Sequence, residues 1–100
     1  MDSGVRAMVE AIGEARRQLR ENAQPKARES VRDKVPGPEE AALLGALAEL
    51  VDSAGELVGA MAERMTTNAT RRTYAVAGRR LRDEANNLRG DARVAADRVK

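Results

Sequence analysis

Neither cysteine nor histidine occurs in this chain, and tryptophan and phenylalanine are missing too. Without cysteine there is no disulfide framework, no thiolate nucleophile and no cysteine ligand for a metal. Without histidine, the imidazole that activates most serine and threonine nucleophiles is gone. Ser3, Ser30, Ser53 and the threonines therefore have no base to work with. The three lysines are Lys26, Lys34 and Lys100, all in polar or terminal settings. Glu39 and Glu40 are adjacent, so on a helix they diverge by about 100° and cannot close on one substrate. These absences argue against catalysis, against a cofactor and against a small-molecule substrate.

The shortage of bulk is as informative. Tyr74 is the only aromatic residue. Of the 42% of residues that count as hydrophobic, nearly half are alanine. So small a complement of large apolar side chains predicts a marginal core and a gain from self-association or a partner. Long apolar runs are also lacking. The most apolar window, Ala41 to Ala62, carries Glu49, Asp52 and Glu56, which a membrane span does not tolerate near its centre. No leader-like run opens the chain, where Asp2, Arg6, Glu10 and Glu14 are interspersed. The expectation is a cytoplasmic protein, with export without a cleaved leader as the alternative. Fifteen arginines against three lysines, in an alanine-rich chain, hint at a bacterial genome of high GC content.

What is present is helical pattern. Val5, Met8, Ile12, Ala15 and Leu19 recur at three and four residues, with Val9 beside them, and predict a first helix over about 3–34. Asp2 or Ser3 serves as its N-cap. Pro25 predicts a kink or break near Ala23–Gln24, after which Ala27, Val31 and Val35 face inward. Pro36-Gly37-Pro38 is the clearest punctuation in the chain. It opens a second helix over about 38–65, with Pro38 at its first position and Glu39 and Glu40 on its positive end.

The second helix is the strongest. Leu43, Leu47, Leu50, Ala54, Leu57 and Met61 alternate four and three apart. Leu44, Val51, Val58 and Met65 lie alongside, and Glu49, Asp52, Glu56 and Glu63 read as its opposite side. Thr66 to Thr70 reads as a turn, with Thr67 or Thr70 capping a third helix over about 70–99; one very long helix is the alternative. The third helix repeats the spacing with Tyr74, Gly78, Leu81, Ala85, Leu88, Ala92, Ala95 and Val99. Small residues dominate this seam and permit close approach. Gly55 and Gly59, four apart, read the same way.

Charge is sorted along the chain. Residues 1–35 carry +2, residues 36–68 carry −5 and residues 69–100 carry +5. An antiparallel pairing of the last two helices would bring opposite signs together, with Arg79–Asp83, Arg80–Glu84 and Arg93–Asp97 adding pairs within the third helix. The competing reading is nucleic-acid binding, with Arg72, Arg79, Arg82, Arg89 and Arg93 contacting phosphates. It lacks an aromatic platform and any recognition motif. In size, absence of cysteine and alanine-rich helical hairpin, the chain also resembles the small helical proteins of type VII secretion. That family's Trp-x-Gly turn has no counterpart here: Leu57-Val58-Gly59 lies inside the strongest helix, and Tyr74 is followed four residues on by Gly78 rather than an acid.

The fold expected is all-α: a three-helix antiparallel bundle or helical hairpin with a kinked first helix, in an oligomer. The function expected is protein–protein interaction without catalysis. Nine large apolar residues on the second helix exceed what six on the third can cover. Leu43, Leu47, Leu50, Leu57 and Met61, with Tyr74, Leu81 and Leu88, form the expected core and interface. The partner expected is a second copy or another protein.

Overall fold

The computed structural model describes residues 2–29 and 34–98, and every regular element among them is helical. Helix α1 spans Ser3–Gln18, α2 Gln24–Glu29, α3 Gly37–Ala62 and α4 Asn68–Asp97. The chain divides into two compact units, Met1–Lys34 and Val35–Lys100.

In the first unit, Asp2 caps α1. Its Oδ1 accepts from the Gly4 N–H at 2.6 Å and more weakly from the Val5 N–H at 3.4 Å. The expected break before Pro25 takes another form. Leu19–Ala23 widens into a π turn, and the Gln24 N–H reaches back five residues to the Leu19 carbonyl. Pro25 lacks an N–H and its ring crowds the carbonyl four residues earlier, so one wide turn accommodates it without ending the helix. Helical structure then runs on to Glu29. The expected extension to residue 34 does not hold at its end, since Lys34 is not helical; residues 30–33, Val31 included, lie outside the described set. Ala27 and Val35 do not face inward as expected but are exposed. Neither α1 nor α2 buries a residue, and Val9, Ile12 and Leu19 stay more than 40% exposed.

The second unit is an antiparallel hairpin of α3 and α4. Pro36 stands at the N-cap of α3, so Gly37 rather than Pro38 opens it. At its other end the Arg64 N–H bonds the Met61 carbonyl, closing the helix at Ala62, three residues short of Met65. The expected turn follows. Thr67 Oγ1 accepts from the Thr70 N–H at 3.2 Å and starts α4 at Asn68, two residues early. The Arg71 guanidinium adds a bond to the Met65 carbonyl at 3.1 Å, tying the turn to the helix that leaves it.

Where the two helices meet is the main departure from expectation. The leucine ladder of α3 is not the seam. Leu43, Leu47 and Leu50 are 58%, 43% and 41% exposed. The seam is the next ladder along, Leu44, Ala48, Val51, Gly55, Val58 and Ala62, which has the same four-three spacing displaced by one residue. Ala48, Gly55 and Ala62 are buried on it and the other three half-buried. From α4 the expected ladder does face the seam, with Gly78, Ala85 and Ala95 buried and Leu81, Leu88 and Ala92 half-buried. Tyr74, at its start, is 37% exposed, and Val99 lies outside the described residues. Among the described residues the buried apolar side chains are all alanines.

The closest approach is backbone on backbone. A Cβ placed on Gly78 would meet the Gly55 carbonyl oxygen at 3.0 Å and the Gly59 nitrogen at 3.1 Å. One placed on Gly55 would meet the Gly78 carbonyl oxygen at 3.0 Å. A methyl group at Gly78 presses on main chain, which has no rotamer to move. Overpacking of this kind typically costs about 1–3 kcal/mol, against about 1 kcal/mol gained from replacing a helical glycine. Gly78→Ala should therefore lower the thermal midpoint. Gly90→Ala, where a Cβ has no neighbour within 4 Å, should raise it. Thermal denaturation followed by circular dichroism checks both.

Candidate protein-contact surface

The hairpin has two flanks beside its seam, and the sequence makes them opposite in character. On α3 the residue following each of four seam positions is an acid: Glu49, Asp52, Glu56 and Glu63. On α4 the residue following each of four seam positions is an arginine: Arg79, Arg82, Arg89 and Arg93. In an antiparallel pair, flanks on the same rotational side of the two seams lie next to each other. The acids are thus beside the seam, not opposite it as the sequence suggested, and the arginines stand along them.

Arg89 makes this explicit. Its guanidinium lies 3.2 Å from Asp52 Oδ2 and 3.3 Å from Glu49 Oε1, and also donates to Asn86 Oδ1 at 3.0 Å. Asp52, and then Glu49, raises the Arg89 pKa above its already high ordinary value. Arg79 and Arg82 share a shallow groove with Glu56 and Glu63, floored by Gly55, Gly59 and Gly78. Arg93 lines a second groove with Glu49 and Arg89. At the open end of the hairpin Arg98 approaches Glu40 at 3.6 Å. Arg72 is exposed in the first turns of α4. The expected pairs Arg79–Asp83, Arg80–Glu84 and Arg93–Asp97 do not close to ion-pair distance; the ion pairs that α4 makes reach across to α3 instead.

The other flank is apolar. Leu43, Leu47, Leu50, Ala54, Leu57 and Met61 form one ladder, turned by one residue, about 100°, from the seam. Leu57 and Met61 are half-buried at the turn end, whereas Leu43, Leu47 and Leu50 open outward toward the helix start. Beyond them Ala42, Ala46, Ser53 and Ala60 are exposed and uncharged. Glu49 and Glu56 interrupt that row, Glu49 turning to Arg89 and Glu56 lining the groove with Arg79 and Arg82. A helix that is apolar or small over so much of its circumference is the kind that other helices cover on more than one side. Leu81 and Leu88 belong to the seam with α4 rather than to this open ladder. The sequence reading set this ladder in the seam with α4 as well as at an interface; the structure puts it beside that seam.

Among the described residues, no helix is long and apolar enough to cross a membrane. No family model matches the chain, and neither a curated protein nor a solved structure matches it.

Arg89 is the one α4 side chain that bridges two α3 acids, so it reads the charge register directly. Arg89→Glu would set three carboxylates together. It should lower the thermal midpoint at low salt, and the loss should shrink in 1 M salt because these groups are solvent-accessible and screened. Melts at two ionic strengths check this.

Proposed function

We propose that the chain is a non-catalytic protein-interaction module that works through the open leucine ladder of α3. The observation that carries this reading is the exposure of Leu43, Leu47 and Leu50 on one face of a packed helix. Single exposed leucines are common, but a contiguous apolar surface of this kind marks a contact site. The ladder has helical spacing and lies beside a margin of alanine and serine, which suits a helix docking along it. In this reading α4 braces α3 from the charged side and leaves the apolar side for the partner. In the first unit Val9 and Ile12 of α1 and Leu19 of the π turn form a second open stripe.

The same geometry favours pairing within the hairpin over phosphate binding for the arginine flank. Arg79, Arg82, Arg89 and Arg93 stand beside Glu49, Asp52, Glu56 and Glu63, and those carboxylates would repel a polyanion. The absence of a histidine or cysteine base supports the non-catalytic part of the reading.

Leu50→Asp tests the proposal. In the hairpin this side chain is 41% exposed, so the variant should keep its helical circular dichroism. It should lose association, by at least about tenfold in Kd, because an unpaired carboxylate would be buried at the contact. Light scattering and circular dichroism on the same samples measure both. Unchanged association with unchanged helicity would remove the ladder from the contact.

A further inference from the structure

Resting on that reading, we infer that the partner of the α3 ladder is the α3 ladder of a second copy, lying antiparallel to it. The first reason is register. Reversed about its centre, the ladder falls on itself: Leu43 meets Met61, Leu47 meets Leu57 and Leu50 meets Ala54. Each layer then pairs apolar with apolar, and the smallest residue, Ala54, faces Leu50, so bulk and gap alternate.

Charge at the margin gives the second reason. The margin away from α4 is uncharged through Ala46 and Ser53, and is bounded by Glu39 at the helix start and Arg64 just past the helix end. Arg64 is the one base in residues 36–68. Both residues are exposed, and among the described residues neither makes an ion pair within its own chain. The reversal that stacks the leucine ladder carries Glu39 of one copy to the level of Met65 of the other, one residue from Arg64, and carries Arg64 to the level of Glu40, twice by symmetry. A parallel pair would instead set Glu39 against Glu39 and Arg64 against Arg64, which like-charge repulsion disfavours. The closed two-fold arrangement is also the commonest for a self-complementary surface. Its product is a four-helix core, with each α4 bracing its own α3 on the charged side.

Native cysteine is absent, so single cysteines report this register cleanly. Leu43→Cys and Met61→Cys are prepared separately and treated with a short bifunctional maleimide, alone and as an equimolar mixture. In the antiparallel dimer like positions lie about 27 Å apart, from eighteen residues of helical rise, so neither variant cross-links with itself. The mixture gives covalent dimer, at up to half of the chains present if subunits exchange freely. Leu43→Cys cross-linking to itself would overturn the antiparallel arrangement. A monomer by light scattering, with no cross-link in any sample, would overturn the second copy as partner. In that monomer the rate of Leu43→Cys labelling by a monofunctional maleimide separates the two readings. Fast labelling leaves the ladder open as a contact for a different protein, whereas protection means that the ladder is covered within the chain and the contact-surface reading falls as well. Glu39→Arg combined with Arg64→Glu should restore the dimer that either single reversal weakens.

Discussion

The hairpin depends on the place where Gly55 and Gly78 let two helix backbones touch. A core with no aromatic ring and no fully buried leucine gains little from burying large side chains. It gains instead from closeness: alanine and glycine bring main chain against main chain, and many short contacts accumulate along the seam. Such a seam tolerates little added bulk. The methyl group that would favour each helix in isolation would push the pair apart where they approach most closely.

Closeness alone does not choose which face of α3 is used, because α3 carries two ladders of identical spacing one residue apart. Charge distinguishes them. Only the Leu44–Ala62 ladder has an acid after four of its six positions, and only its use sets those acids along the arginines that follow the α4 ladder. Exposed ion pairs add little stability, but their mismatch penalises the wrong alignment. Arg89 between Glu49 and Asp52 is where that selection is visible.

Using the small ladder for the hairpin leaves the large one over. The residues best able to stabilise a core by burial, Leu43, Leu47 and Leu50, are the ones the hairpin does not bury. In the proposed reading a partner covers that surface, which would connect the thin internal seam to a role in protein contact. Subunit stability and association would then be coupled, since the hairpin alone retains only its small-residue core.

Much of this was legible in the residues. The four-three spacing gave the helices, Thr67 and the Pro36-Gly37-Pro38 segment gave their limits within a few residues, and the segregation of charge gave the antiparallel pairing of the last two. Pro25 signalled a disturbance, although a π turn could not be told from a break, because both answer the same missing N–H. The α4 seam was also readable, since that helix has one apolar stripe. The α3 seam was not. Hydrophobicity ranks the leucine ladder first and cannot weigh a backbone contact that exists only when a second glycine stands opposite. The sequence by itself determined the helices, their order and their charges. Only the tertiary structure decided which stripe of α3 faces inward, because that choice depends on fitting two surfaces together rather than on the apolar content of either.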